Sequence, residues 1–436
     1  MVYDNQQVEI RMKDGRRLEG VALPSTDFSD KSILIVKLKN GYNVGLSRKD
    51  ILRVERRGRV EGIGRMGGVG NMLKGKPSTG TRDVPPVGVL GTGGTVASRV
   101  DYVTGGVRAS MTAEEILAFV PEVAEFADIK FVNLFSKLSE DMCPQDWPEI
   151  VRATARLLRQ TEGVVVLHGT DTLHYTAAAL AFMLTTSKPV VLTGAQRSSD
   201  RPSTDAFLNI QCGLRTALSD LGEPVVCFHS STSDGTCDLM RATRTRKMHT
   251  SARAAFRSIN TPVLARMDRG GKLEKLADYL LRSKGPAKVK VDVRLEPEVA
   301  LVKVHPGADP RILKWYAQRG YKGVVLEGTG LGHVPVSPSN GRSWMPVIQK
   351  LAGEMAVVMT SQTIYGRTHP FVYTNLRELS QAGVIFAGDT LPETAMVKLM
   401  WVLGHTQKLE KVARQMQTNI KGELNPRTLE ISPPSQ

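Results

Sequence analysis

Two short turns, each closing an apolar run, set the strongest limit on what this chain can fold into. Val87 to Leu90 leads into Gly91-Thr92-Gly93-Gly94-Thr95, and Val164 to Leu167 leads into His168-Gly169-Thr170-Asp171-Thr172. Short apolar runs that end in turn residues predict buried strands. In open α/β sheets ligands bind at the carboxyl ends of parallel strands. A glycine-rich turn offers N–H groups to an anion or oxyanion, and threonine hydroxyls can attack or donate. The pair reads as an active site in two halves.

Taken alone, the first turn also fits an ordinary strand-to-helix turn or a phosphate cradle, although it lacks the Gly-Lys-Ser/Thr ending of a P-loop. The second is more specific. His, Thr, Asp and Thr in one turn at the end of a buried strand are costly unless they hydrogen-bond or react. Further downstream lie Ser139-Glu140-Asp141-Met142, Thr193-Gly194-Ala195-Gln196-Arg197, the stretch Arg241 to Phe256 with Lys247 inside it, and Glu327-Gly328-Thr329-Gly330-Leu331-Gly332-His333. In order and spacing these segments resemble the L-asparaginase-type amidohydrolases over most of residues 84–436. Glu140 departs from the family pattern, which usually has Gln there.

At 436 residues the chain is too long for one compact core and suits two or three domains. No stretch approaches the ~20 uninterrupted apolar residues of a membrane span. The start, Met-Val-Tyr-Asp-Asn-Gln-Gln, lacks the basic and apolar regions of a signal peptide, so a cytoplasmic protein without membrane contact is expected. Cys143, Cys212, Cys227 and Cys237 form no Cys-x-x-Cys pair, and the eight histidines show no His-x-x-x-His pattern. Reduced thiols and no metal are expected. Lys plus Arg outnumber Asp plus Glu by 58 to 43. That surplus fits either a basic protein with no polyanion partner or one that meets a phosphate backbone.

Organisation tips that balance. Val8–Met12, Leu18–Leu23, Ile33–Leu38 and Tyr42–Leu46 read as short strands, with Lys13-Asp14-Gly15 and Lys39-Asn40-Gly41 as hairpin turns. So few short strands must close on themselves to hide their edges, which predicts a small SH3/Tudor-like β-barrel over residues 1–60. Residues 61–83 read as a flexible basic linker rich in Gly, Arg and Lys. Residues 84–298 then alternate strands and helices as a large α/β domain. In it Thr112 and Glu115 form a capping box, Ile129–Phe135 is a strand and Gln145–Gln160 a helix, and residues 241–298 join it to the last domain. That last, a small C-terminal α/β domain, takes 299–436. The fold class is α/β, an asparaginase-like two-domain body with parallel sheets behind a barrel.

A barrel ahead of such a body is not the layout of the simple hydrolases. It resembles the asparaginase-like glutaminase subunits of archaeal glutamyl-tRNA(Gln) amidotransferases. That resemblance implies ammonia release from glutamine for a partner, the E subunit of the amidotransferase, which uses ATP and Mg2+ to activate the misacylated glutamate on Glu-tRNA(Gln). It implies no cofactor in this chain and at least a homodimer. A stand-alone cytoplasmic L-asparaginase is the second reading. An inactive RNA-binding scaffold is the third, disfavoured because both hydroxyl turns and the lysine are intact.

Attack on an unactivated amide needs a hydroxyl, a base and oxyanion donors. Thr95 and Thr170 are the candidate nucleophiles, with Thr95 preferred for attack and Thr170 for activation. The resemblance places Lys247 as the base, oriented by Asp171. Arg241, Arg244, Arg246, Arg253 and Arg257 around it suggest an amine whose charged form is disfavoured; the plainer reading is a solvated basic run. Gly94, Ser139, Glu140, Gly169 and Asp171 are the expected substrate contacts, and Tyr102, on the Arg99–Val107 segment, is expected to close over Thr95.

Overall fold

A computed structural model describes residues 6–23, 32–38, 43–59, 84–93, 98–100, 107–109, 120–197, 204–283, 285 and 288–429. The expected linker, the Lys39-Asn40-Gly41 turn, Gly94, Thr95, Tyr102 and the Thr112/Glu115 box lie outside the described residues.

The first strands are β1 (Gln6–Met12), β2 (Arg17–Ala22), β3 (Ile33–Leu38), β4 (Asn43–Ser47) and β5 (Ile51–Arg59). They form an antiparallel sheet ordered β4-β3-β2-β1-β5. Strand alternation turns Val8, Ile10 and Met12 inward onto Ala22, Leu34, Val36 and Leu46, which gives this barrel-like unit a core of its own. Gly15, at φ +88°, supplies the left-handed residue of the β1–β2 turn. The fifth strand covers the edge of β1 that would otherwise stand open. It is absent from the expected strands, because Arg53, Glu55, Arg56 and Arg57 leave it no apolar run.

The body begins with β6 (Pro86–Gly93), a ribbon of β7 (Ser98–Val100) and β8 (Val107–Ala109), and β9 (Asp128–Lys137). It continues with β10 (Val164–Leu167), β11 (Leu184–Thr185), β12 (Val190–Thr193), β13 (Pro224–His229) and β14 (Thr236–Arg241). Next come β15 (Thr245–Lys247), β16 (Phe256–Ser258), β17 (Ala265–Asp268), β18 (Leu273–Lys275) and β19 (Lys290–Val291), the last pairing with β11. The large sheet is ordered β18-β17-β14-β13-β12-β10-β6-β9.

From β9 to β13 all neighbours are parallel, as expected, but β14, β17 and β18 pair antiparallel. The sheet is therefore mixed, and residues 241–298 do more than join two halves. Their strands are two to four residues long and carry charges, so no apolar run announces them. The expected Gln145–Gln160 helix starts at Trp147 and ends at Leu158, preceded by a 3-10 turn, Pro144–Asp146, in which the Asp146 carboxylate accepts the Cys143 N–H.

The second sheet, β20 (Val299–Lys303), β21 (Gly323–Gly328), β22 (Ala356–Ser361) and β23 (Ile385–Phe386), is parallel throughout. Helices Leu173–Met183 and Pro392–Leu403 pack on each other between the two sheets. Both are buried on nearly every face. One continuous core joins Leu90, Val164 and Leu192 of the large sheet to Val325, Val358 and Ile385 of the small one.

The chain leaves β6 for β9 on one side and returns to β10 on the other. That reversal makes the carboxyl ends of β6 and β10 the switch point of the sheet, the place where open α/β sheets bind ligands. The Thr92 hydroxyl donates to Leu167 O at 2.9 Å and ties the two strands together there.

Candidate active site

The turn after β10 is rigid because its polar groups serve one another. His168 is fully buried, with Nδ1 2.7 Å from Gly169 O and Nε2 2.9 Å from Thr176 Oγ1. A carbonyl can only accept, so Nδ1 carries the hydrogen and Nε2 accepts from the threonine hydroxyl. Burial holds this imidazole neutral, down to about 4. Its bond to Gly169 O fixes the orientation of the peptide that enters Thr170.

Ser139, in a 3-10 turn following β9, locks this turn from the side. Its Oγ accepts the Asp171 N–H at 3.2 Å, and its carbonyl accepts the Thr172 hydroxyl at 2.6 Å. Contact is so close that a Cβ on Gly169 would lie 2.7 Å from Ser139 Cβ. Gly194, after β12, closes the other side: a Cβ there would sit 2.3 Å from His168 O and 3.3 Å from Thr170 Cγ2.

Lys247 arrives on the β15–β16 hairpin, where it pairs with Phe256. Its Nζ donates to Thr170 Oγ1 at 2.9 Å and to Asp171 Oδ1 at 2.6 Å. Thr170 is buried and the Lys247 side chain is 10% exposed, whereas that of Asp171 is 64% exposed. One amine thus joins a hydroxyl from inside the turn to a carboxylate that faces solvent.

The arginines around Lys247 in sequence have partners of their own. Arg241 pairs with Glu223, Arg246 with Glu393 and Arg253 with Asp234, while Arg257 donates to Phe256 O. Arg244, wholly buried, donates to Gly422 O at 2.8 Å and Asp389 O at 3.0 Å. Thr243 donates to Lys421 O, and Thr394 donates to Thr243 O. Nearby, Glu423 and Lys398 form a fully buried ion pair at 2.6 Å. The hairpin is therefore clamped to residues 421–423 and to the helix Pro392–Leu403. Burial pushes the Glu393 carboxyl up against the opposing pull of Arg246.

Five of the expected residues, Ser139, Gly169, Thr170, Asp171 and Lys247, come together, and Glu140 stands exposed beside Ser139. Gly94, Thr95 and Tyr102 lie outside the described residues. Sequence reasoning missed Thr176, Gly194 as a spacer, and the Arg246–Glu393 link. Thr176 follows His168 by eight residues across a turn, and Glu393 lies far along the chain, so only contact reveals either. Among the described residues no group of three or more His, Cys, Asp or Glu side chains gathers as a metal site. No described helix is long and apolar enough to cross a membrane.

Comparison with known proteins gives three family matches. Residues 86–278 match the model described as "Asparaginase, N-terminal", residues 298–416 "Glutaminase/Asparaginase C-terminal domain", and residues 4–56 "GatD N-terminal domain". The D subunit of the glutamyl-tRNA(Gln) amidotransferase from Pyrococcus horikoshii is 48% identical over 96% of this chain and 94% of its own length. Its namesake from Methanosarcina mazei is 42% identical over 96% and 97%. Among solved structures, the thermostable L-asparaginase from Thermococcus kodakarensis superposes with a TM-score of 0.70 at 36% identity. It is covered over 99% of its length but matches only 78% of this chain.

Proposed function

This chain belongs to the family of glutamyl-tRNA(Gln) amidotransferase D subunits, and we propose that it is the glutaminase of such an enzyme, releasing ammonia for the conversion of Glu-tRNA(Gln) to Gln-tRNA(Gln). One observation carries the choice over a free-standing L-asparaginase. The N-terminal sheet matches a domain model of its own at residues 4–56, and relatives with the amidotransferase name align through 96% of the chain. The solved L-asparaginase leaves about a fifth of the chain unmatched.

In the reaction we propose, Thr95 attacks the glutamine side-chain carbonyl, ammonia departs, and water hydrolyses the resulting ester to glutamate. The Thr170–Lys247–Asp171 contacts support a relay for the attacking proton. Thr170 passes it to Lys247, and Asp171, 2.6 Å away, holds the ammonium that forms. The relay then returns the proton to the leaving nitrogen. Gly94, Ser139, Glu140, Gly169 and the exposed Asp171 carboxylate bind the amino-acid end of the substrate, and Tyr102 covers Thr95. No metal or cofactor belongs to this chain's part of the reaction.

The acceptor half of the reaction falls to a partner, the E subunit, which uses ATP and Mg2+ on the glutamyl-tRNA. The chain works as a homodimer in the cytoplasm. Four cysteines that are all free thiols suit a reducing compartment. The test is ammonia release from glutamine and from asparagine, with and without purified partner and charged tRNA. Glutamine hydrolysis that is slow alone and stimulated by partner and Glu-tRNA(Gln) is expected. Fast asparagine hydrolysis indifferent to both would replace this reading with the stand-alone hydrolase.

A further inference from the structure

The outer face of the N-terminal sheet carries charge in an order that its own folding does not call for. Register places Arg17, Arg11 and Arg53 directly opposite one another across β2, β1 and β5. Two residues along, it places Glu19, Glu9 and Glu55 in the same way. Like charges facing each other across strands are destabilising, so each row costs stability in isolation.

The glutamate row is neutralised in place. Arg57 pairs with Glu9 and, at 3.5 Å, with Glu55. Arg53 Nε sits 3.1 Å from Glu55, whereas Arg11 stands 3.9 Å from Glu9. Among the described residues the arginine row borders no second row of carboxylates. On its far side the Lys13–Arg16 turn meets the Arg48–Asp50 turn, the Lys13 N–H donating to Asp50 O at 2.9 Å. These turns add Lys13, Arg16, Arg48 and Lys49 against Asp14 and Asp50, and Arg16 already engages Asp14. Side-chain exposure is 43% at Arg11 and 69% at Arg53.

We infer that this arginine-lined end of the N-terminal sheet is a docking surface for the phosphate backbone of RNA. Strands ~4.8 Å apart spread three guanidinium groups over ~10 Å, within reach of several phosphates. The planar guanidinium matches phosphate in a two-pronged geometry that lysine cannot reproduce. Adjacent glutamates confine the polyanion to one end of the sheet. The chain-wide excess of 58 basic over 43 acidic residues points the same way. This sheet also matches a domain model of its own, at residues 4–56, apart from the amidohydrolase body that begins at residue 86. Choosing RNA over an acidic protein rests on the proposed function; the surface itself does not.

The test uses the full-length chain without partner and a fluorescein-labelled tRNA(Gln) transcript, titrated by anisotropy between 50 and 200 mM KCl. Arg11→Gln/Arg53→Gln is compared with Lys314→Gln/Lys350→Gln, which removes equal charge from the surface of the small domain. We expect the arginine pair to weaken binding at least tenfold at 100 mM and to lower the log–log salt slope by about two, one for each guanidinium–phosphate pairing removed. The lysine pair should change affinity less than threefold. Arg17→Gln alone should give an intermediate loss, which guards against a folding defect in the double variant. Equal effects of the two doubles, or wild-type protein that does not bind, would overturn the inference. So would intact RNA affinity with lost capture of the partner subunit, which would make the surface a protein dock. Glutaminase activity, read in parallel, reports on the proposed function and is expected to be the same in every variant.

Discussion

Gly194 is a methyl group away from disabling the site without touching any reacting atom. In Gly194→Ala the new Cβ would lie 2.3 Å from His168 O, where a carbon and a carbonyl oxygen need roughly 3.3 Å. About 1 Å must be found by moving backbone. His168 N is bonded to Thr193 O at 2.9 Å and its side chain is wedged between Gly169 O and Thr176. The strain therefore passes along the turn to Thr170, two residues on, whose Cγ2 the same methyl also presses at 3.3 Å. A displacement near 1 Å breaks the 2.9 Å Lys247–Thr170 bond, and misplacement on that scale costs on the order of 10²-fold in rate, or ~2.7 kcal/mol of barrier. Steady-state ammonia release should show a drop in kcat of that size with a smaller change in KM. The internal control is Gly213→Ala, whose Cβ meets nothing closer than 3.6 Å and which should leave kcat alone while raising stability by ~0.5–1 kcal/mol. A folded Gly194→Ala protein turning over within threefold of wild type would show that the Thr170 position does not depend on this contact.

Lys247→Met and Thr170→Val should each lower amide hydrolysis by ~10²-fold or more with circular dichroism unchanged; near-normal turnover in either would remove the relay. Stability should fall as pH drops from about 6.5 toward 4. His168 is held to about 4 and His174 to about 3, chiefly by burial, so in that window the unfolded chain binds the protons the native one refuses. For His168 the full effect is ~3 kcal/mol, present above pH 6.5 and lost as pH approaches 4. Urea unfolding at pH 7.5, 6 and 5 reads it, and a flat profile would contradict the buried neutral imidazole. Lys398→Met leaves Glu423 buried without its partner and should cost ~3–5 kcal/mol in the same unfolding assay, whereas a loss below 1 kcal/mol would mean that water reaches the carboxylate.

How much of the molecule is legible in the sequence depends on which signals are local. Val164–Leu167 is a continuous apolar run, and it is a strand with the expected bounds. The switch between β6 and β10 is readable because both strands run into turns rich in glycine and threonine. The antiparallel edge is not. Ala265–Asp268 and Leu273–Lys275 are too short to show a period, and they become strands only because β14 offers a partner to the first and the first offers one to the second. At the site, motif resemblance finds Thr170, Asp171 and Lys247, yet the cations invoked around Lys247 prove to be paired elsewhere. Sequence proximity on a hairpin places alternate residues on opposite faces, and this is why Arg246 turns to Glu393 while Lys247 turns to Thr170.

The clamp between the Lys247 hairpin and residues 421–423 has a consequence in time as well as in space. Thr243 and Arg244 are held by the carbonyls of Lys421 and Gly422, and Glu423 is held by Lys398. During synthesis the threonine turns are complete some 250 residues before these anchors leave the ribosome, and Lys247 some 170 residues before them. If the relay acts as proposed, the amine that completes it reaches its final clamped setting only when residues 421–423 arrive, so the end of the chain sets when the site is finished.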